Sequence, residues 1–220
     1  MTTLMLATIL LQDTGTLSGK VTLPEAKPSK LSKRYTGQTG AASKEEPDLS
    51  PAVVYLDGVQ GTFEPPAEKP VIEQKGIEFR PRVLPVLKGT TVEFPNRDTV
   101  YHNVFSLSKN AKFDLGRYAT DESKTWTFDA PGVVKIYCEI HQHMKSFVVV
   151  LENPYFAVTD AEGNYTIEGI PPGTYTLVAW HENAKEVRTQ VTIEAGAGTR
   201  DVKFSLAAPD PVVERDCCGG

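Results

Sequence analysis

Three side chains that bind soft metal ions lie close together in the chain. Cys138, His141 and Met144 are spaced as C-x2-H-x2-M, and a second imidazole, His102, lies 36 residues before the cysteine. One thiolate and two imidazoles, with a weakly bound thioether, form the ligand set of blue-copper electron-transfer sites. Sulfur ligands favour Cu(I) and imidazole also suits Cu(II), so one geometry can hold both oxidation states. The segment therefore predicts a site for one copper ion that cycles between Cu(I) and Cu(II).

Two other interpretations compete with copper. A buried cysteine or methionine often only fills space in a hydrophobic core. Packing alone explains poorly why three metal-binding side chains share one turn, while the other two cysteines, Cys217 and Cys218, lie near the end of the chain. Zinc also accepts thiolate and imidazole ligands and is the main rival metal, although methionine is a poor zinc ligand. Copper is therefore the favoured metal.

Two more histidines could approach the predicted site. His143 lies between two of the predicted ligands, and on so tight a loop we expect it to point to solvent. His181 follows a strand-like segment and is expected to be a half-exposed strand residue. Neither is predicted as a ligand, and whether either touches the site stays open at this point.

The residues around the predicted site have the pattern of short strands separated by turns. Lys88-Gly89 and Pro131-Gly132 are typical turn pairs. Seven segments between such turns are rich in apolar and β-branched residues: 71–74, 83–87, 90–94, 101–107, 124–128, 133–138 and 146–151. This spacing predicts a Greek-key β-sandwich. Cys138 would end one strand, and His141 and Met144 would lie on the loop before the next.

A second group of strand-like segments follows residue 153. Its members are 156–159, 165–167, 175–180, 187–193 and 202–206, and two similar segments, 17–23 and 52–56, precede the first group. Residues 24–51 are polar and predict a long exposed loop, and residues 208–220 predict a polar tail. The fold class is therefore predicted as all-β, with a Greek-key sandwich and a second, smaller β-sandwich domain.

The first group of strands resembles the plastocyanin/azurin (cupredoxin) family. Residues 79–86 (FRPRVLPV), 91–96 (TVEFPN) and 102–106 (HNVFS) are similar to bacterial plastocyanin-like proteins of the methylamine-utilisation type. The C-x2-H-x2-M spacing is similar to the short ligand loop of amicyanin-type proteins. The resemblance implies that residues 70–152 form a cupredoxin domain with a mononuclear type 1 copper site. It also implies that the backbone N–H of Asn103 donates to the cysteine sulfur and tunes the redox potential.

The second group resembles transthyretin-like or carboxypeptidase-regulatory-like β-domains. The segments that carry this resemblance are 159–167 (TDAEGNYTI) and 170–177 (IPPGTYTL). Residues 15–21 and 52–56 look like the first strands of the same domain. The resemblance implies a discontinuous domain made of residues 16–62 and 153–207, into which the cupredoxin is inserted. The alternative is that residues 16–62 add strands to the cupredoxin.

Composition and missing motifs exclude several function classes. The net charge of −5 gives no basic surface for nucleic acid, and no stretch approaches the roughly 20 apolar residues of a membrane span. The 4 histidines are too few for a multicopper oxidase, and a dinuclear copper site would need a second cysteine near Cys138. No nucleophile elbow, phosphate loop or zinc-protease motif occurs. The sequence therefore predicts a copper protein that is not an enzyme.

The favoured function is electron transfer in the periplasm or outside the cell. Residues 1–15 have the apolar character of a weak signal segment but lack a preceding positive charge. Electrons would pass through His141 to a redox partner protein, so an apolar surface around that residue would favour this function. A buried His141 would favour a copper-binding or sequestering protein, or a ligand-binding module with a structural copper. The C-terminal β-domain is a further candidate for contact with a protein or a glycan.

Overall fold

The structure is a computed structural model that describes residues 14–23, 50–195 and 200–207. Within these ranges the chain forms sixteen β-strands and no helix, which confirms the prediction of an all-β protein. Residues 1–13 of the predicted signal-like segment, residues 24–49 of the predicted loop and the predicted tail 208–220 lie outside the described residues.

The strands run in chain order with the following bounds. They are β1 (Gly15–Thr22), β2 (Val53–Asp57), β3 (Glu73–Gln74), β4 (Phe79–Arg80), β5 (Val83–Leu87), β6 (Thr90–Pro95), β7 (His102–Ser108), β8 (Ala111–Tyr118), β9 (Ser123–Phe128), β10 (Gly132–Tyr137), β11 (Lys145–Leu151), β12 (Phe156–Val158), β13 (Asn164–Ile170), β14 (Gly173–Trp180), β15 (Val187–Ile193) and β16 (Arg200–Ser205).

The middle of the chain forms one sandwich. A five-stranded sheet in the order β5-β11-β10-β7-β8 faces the pair β6-β9. Within the larger sheet, β5 pairs in parallel with β11. Alternate residues of each strand point inward, and Phe94, Phe128, Val134 and Ile136 form the centre of the core. Cys138 belongs to the same buried cluster. The predicted metal-binding segment therefore lies at one end of this core.

Strand β8 was missed by the sequence analysis. Its inward residues Ala111 and Phe113 are buried, but they alternate with lysine and aspartate and are followed by Gly116 at a φ of 68°. A charged, glycine-containing segment gives little strand signal in the sequence. The pairing of β8 with β7 nevertheless places Tyr118 directly opposite His102.

The remaining strands form a second sandwich. One sheet has the order β13-β1-β16 and the other has the order β12-β2-β14-β15. Leu17, Leu56, Ile167 and Leu177 are among the residues of its buried core. The two N-terminal strands β1 and β2 thus pair with strands that follow the first sandwich in the chain.

Strand β11 joins the two sandwiches because it is buried on both faces. Val148 and Val150 point into the first core, whereas Phe147, Val149 and Leu151 pack in a separate cluster with Val53 of β2. The continuous apolar run of β11 is the pattern expected for a strand covered on both sides. The Phe147 ring also lies 5.6 Å from the Trp180 ring, measured between centroids.

A buried carboxylate completes this contact between the sandwiches. Glu182, which follows β14, has a side chain that is only 1% exposed. Its Oε1 lies 2.7 Å from Arg82 Nε, and its Oε2 accepts hydrogen bonds at 3.0 Å from both Arg82 and Lys145. Burial would raise the pKa of the Glu182 carboxyl, but Arg82, Ser50 and Lys145 together outweigh burial and lower that pKa to about 2.

We expect Glu182→Gln to lower the melting temperature by about 5 °C near neutral pH, because it removes the negative charge from a buried ion cluster. The folded-state pKa lies below the ordinary value of 4.5, so this stabilisation is complete above about pH 4.5 and is lost as the pH falls toward 2. Thermal unfolding of both proteins at several pH values measures the difference.

The matched control is Glu78→Gln, because the Glu78 side chain is 60% exposed and its ion pair with Arg80 lies at the surface. A surface pair of this kind contributes little to the free energy of unfolding. A melting-temperature difference for Glu182→Gln that is the same at pH 6 and pH 3 would contradict the assignment.

Candidate metal centre

The hydrogen-bond register of three neighbouring strands brings the predicted ligands together. Strand β7 begins at His102, and β10, which ends at Tyr137, lies beside β7 in the sheet. Tyr137 pairs with Lys145, the first residue of β11. Residues 138–144 are therefore a loop closed at its base by the β10–β11 pair, and the loop lies at the same sheet end as His102.

The donor atoms of three side chains converge at this end. Cys138 Sγ lies 3.9 Å from Nδ1 of His102 and 3.9 Å from Nδ1 of His141, and the two Nδ1 atoms are 3.0 Å apart. The centre of this triangle is about 2 Å from each nitrogen and about 2.4 Å from the sulfur, close to ordinary metal–imidazole and metal–thiolate bond lengths. The arrangement fits a single metal ion.

The four predicted ligands differ in exposure. His102, Cys138 and Met144 are buried, whereas His141 is half-exposed. The Met144 side chain belongs to the same buried cluster as Cys138, and its backbone N–H donates to the carbonyl of His141 at 2.9 Å. The pKa of the His141 imidazole is lowered by burial and by the neighbouring His102 and His143 rings. A lowered pKa keeps the His141 ring neutral, as a metal ligand must be.

Asp98 holds the His102 ring from behind. Its Oδ2 lies 2.9 Å from His102 Nε2, and because a carboxylate accepts, the Nε2–H donates this hydrogen bond and Nδ1 is left to face the cysteine. The backbone N–H groups of Gly76 and Ile77 donate to the same carboxylate at 2.6 and 2.8 Å. Burial would raise the pKa of the Asp98 carboxyl, but the two N–H groups and His102 lower it. Asp98 was not predicted as a site residue although it lies four residues before His102, because the N–H groups that hold its carboxylate are more than 20 residues away in the chain.

The turn that supports Asp98 carries backbone strain. Gly76 has a φ of 70° and Ile77 has a φ of 58°, although a β-branched residue rarely adopts the left-handed region. This conformation points both N–H groups at Asp98, and the Ile77 carbonyl accepts a hydrogen bond from His143 Nε2 at 3.1 Å. The turn thus connects the residue behind His102 to the ligand loop.

Asn103 anchors the other end of the loop. Its side-chain Oδ1 accepts a hydrogen bond at 2.7 Å from the backbone N–H of Glu139, the residue after the cysteine. The predicted donation from the Asn103 backbone to the cysteine sulfur stays a prediction. The observed contact restrains the loop directly and involves the amide side chain, which only the structure reveals.

The two remaining histidines lie outside the triangle. The exposed His143 ring is 6.4 Å from the His141 ring between centroids and is absent from the described metal-binding group, which contains His102, Cys138 and His141. The expectation of a half-exposed His181 is wrong, because His181 is buried and its Nε2 donates a hydrogen bond to the Ser50 carbonyl at 2.9 Å. A partner that lies 131 residues earlier in the chain could not be foreseen from local sequence.

The family comparison agrees with this geometry. Residues 67–151 match the copper binding proteins of the plastocyanin/azurin family. The chain contains a plastocyanin/azurin-type copper-binding domain. Residues 143–207 of the same chain match the carboxypeptidase regulatory-like domain, so both resemblances noted in the sequence are confirmed. No curated protein matches the chain.

Several solved structures are similar to part of this chain. A Cu-containing nitrite reductase from Thermus scotoductus SA-01 is 28% identical over 44% of this chain, with a TM-score of 0.38, and the match spans 25% of the reductase. A purple cupredoxin from Nitrosopumilus maritimus is 27% identical over 38% of this chain and all of its own, with a TM-score of 0.34. A reduced tryptophan-to-tyrosine mutant of amicyanin is 20% identical, covers 44% of this chain and 98% of its own, and has a TM-score of 0.37.

The residues present fit the metal that the family binds. A thiolate, two imidazole nitrogens and a neighbouring thioether are a donor set that suits both copper oxidation states, and the three described donor atoms lie within 4.8 Å of one another. This plastocyanin/azurin-type domain is therefore a copper-binding domain, and bound copper would supply one-electron chemistry. The contribution of the chain is to hold the donors in place, with Asp98 and Asn103 restraining His102 and the loop.

We expect Asp98→Asn to weaken Cu(II) binding about 10-fold to 100-fold, because it removes the carboxylate that orients His102. A competition titration against a chelator of known copper affinity measures the change. Asp121→Asn is the matched control, since that carboxylate is 80% exposed and pairs only loosely, at 3.6 Å, with Arg97. Equal copper affinities for the wild type and Asp98→Asn would show that Asp98 does not orient the ligand.

Proposed function

We propose that this protein is a mononuclear type 1 copper protein that transfers electrons in the periplasm or outside the cell. The proposal rests on the half-exposed ring of His141, whose Nδ1 faces the donor triangle. An exposed ligand ring offers an electron a short path between the copper and a protein docked at that surface. A copper site that only stores metal or stabilises the fold needs no such opening.

The proposed copper ligands are His102, Cys138, His141 and Met144. The Cys138 thiolate and the imidazoles of His102 and His141 would hold the copper ion, and the Met144 thioether would be a fourth, weaker ligand. The burial of Met144 beside Cys138 supports its role. Four protein ligands leave no free position for a substrate, so we propose that no reaction is catalysed at this metal.

Four exposed apolar side chains lie next to the proposed ligands in the chain or contact their neighbours. Val100 and Tyr101 precede His102, Ile140 precedes His141, and Ile77 contacts both Asp98 and His143; these four residues are called the copper-end face. They are 37–62% exposed. An apolar contact surface needs little desolvation of charge, which suits the small and short-lived interfaces of redox proteins. The face supports a redox partner protein as the partner class.

We propose that the copper-binding domain comprises residues 70–152, and that residues 16–62 and 153–207 form the carboxypeptidase regulatory-like domain. The pairing of β1 with β13 and β16, and of β2 with β12 and β14, supports this division. The second domain packs against β5 and β11, which leaves the copper-end face uncovered by described residues. The described residues contain no helix that could span a membrane.

The rival proposal is a copper-binding or sequestering protein without a redox partner, or a ligand-binding module with a structural copper. Both functions predict the same metal site, so the rate of electron exchange separates them. A carrier exchanges electrons rapidly between its Cu(I) and Cu(II) forms through the exposed ligand. A storage or structural site has no need of fast exchange.

We expect Tyr101→Glu to slow electron self-exchange about 10-fold at low ionic strength, because like charges then face one another when two copper-end faces meet. Line broadening in NMR spectra of mixed Cu(I) and Cu(II) protein measures this rate. The optical spectrum should stay unchanged, since the Tyr101 side chain points outward and is 62% exposed.

Leu107→Glu is the matched control for that experiment. Leu107 lies on the same strand and is 68% exposed, and five residues of strand place it about 16 Å from His102. We expect it to slow self-exchange far less than Tyr101→Glu. Slow exchange in the wild type would favour the sequestering or structural role. Equal rates in all three proteins would show that the copper-end face is not the surface through which electrons pass.

A further inference from the structure

In addition to its apolar contacts with β11, the second domain places one charged side chain against the strands that carry the ligand loop. Glu182 follows the end of β14, and its carboxylate is almost completely buried between the domains. A buried carboxylate is retained only where cations and hydrogen bonds compensate for the lost hydration. The partners of this carboxylate therefore identify what the contact holds.

The two cations that pair with Glu182, Arg82 and Lys145, both come from the copper-binding domain. Arg82 binds the carboxylate with two nitrogens, Nε at 2.7 Å and an Nη atom at 3.0 Å. Lys145 Nζ lies 3.0 Å from Oε2. The two hydrogen bonds from Arg82 fix the orientation of the carboxylate. In this orientation Oε2 also faces the Lys145 ammonium.

Lys145 is the residue at which the ligand loop closes. It directly follows Met144, and it pairs across the sheet with Tyr137, which directly precedes Cys138. The Lys145–Glu182 contact is therefore made at the base of the seven-residue loop 138–144.

Arg82 connects to the same position through its backbone. The Arg82 carbonyl accepts hydrogen bonds from the Phe147 N–H at 2.9 Å and from the Ser146 hydroxyl at 3.1 Å. Ser146 is fully buried. Glu182 and its partner Arg82 therefore contact residues 145–147, the first residues after the loop.

We propose that Glu182 is a positioning residue for the copper site, through which the carboxypeptidase regulatory-like domain holds the copper ligand loop closed. The proposal rests on the ligand assignment proposed above. Moving Met144 away from the core requires residues 144 and 145 to shift. Such a shift separates the Lys145 ammonium from the buried carboxylate of Glu182. The second domain contributes no metal ligand, yet it raises the free energy needed to open the loop.

The direct test is amide hydrogen exchange in the metal-free full-length protein, comparing the wild type with Glu182→Gln. The N–H groups of Met144 and Glu139 report on the loop, because each donates a hydrogen bond that closes it. We expect both to exchange about 10-fold faster in Glu182→Gln, through local opening of the loop. The N–H of Val134, in the core of β10, reports the loss of global stability, so it should be accelerated less than either loop amide. Glu186→Gln is the matched control, since Glu186 pairs with Arg188 within the second domain.

A second readout uses copper itself. Copper release to a chelator should be about 10-fold faster from Glu182→Gln than from the wild type, because release requires loop opening. Lys145→Met removes the same contact and leaves the Arg82–Glu182 pair intact, so it should speed Met144 exchange by itself. Adding Glu182→Gln to Lys145→Met should then produce little further change. If Glu182→Gln does not fold, Lys145→Met carries the test.

Unchanged exchange at Met144 and Glu139 would overturn the proposal, and so would equal acceleration of Val134, which would indicate general destabilisation. The exchange measurement needs no copper. Its failure is therefore separate from a failure of the proposed function, which would appear as a wild-type protein without a type 1 copper spectrum.

Discussion

Three electron-pair donors must be held within about 4 Å of one another, and the rest of the structure serves this constraint. His102 starts one strand, Cys138 follows the end of its neighbour, and His141 lies on the loop between that neighbour and β11. No single strand could bring these atoms together. The register of the sheet brings the three residues close together, and hydrogen bonds from neighbouring residues then restrain His102 and the ligand loop.

Two layers of support surround the triangle. Asp98 orients His102 and is itself held by the strained turn at Gly76 and Ile77, whereas Asn103 restrains the loop next to Cys138. Farther out, Glu182 of the second domain holds Lys145 at the point where the loop closes. A ligand set restrained in this way changes little in shape when copper changes oxidation state, which is the requirement for fast electron transfer.

The sequence was most informative where the relevant contacts are local. The spacing of Cys138, His141 and Met144 places three donors on one turn, so their types and positions alone indicate a copper site. The continuous apolar run of β11 likewise indicates a strand buried on both faces. Asp98 lies only four residues before His102, but the contacts that hold its carboxylate come from Gly76 and Ile77, which are distant in the chain. Glu182 was not recognised because its partners belong to another domain. The burial of His181 was not foreseen because its partner, the Ser50 carbonyl, lies 131 residues earlier in the chain.

The measurement that tests the central claim most directly is a titration of the metal-free protein with Cu(II), followed by optical and EPR spectroscopy. We predict an intense visible thiolate-to-copper charge-transfer band and narrow copper hyperfine splitting, both lost in Cys138→Ser. A weak spectrum typical of nitrogen and oxygen ligands, unchanged in Cys138→Ser, would contradict the account. It would mean that the triangle of His102, Cys138 and His141 does not hold the copper.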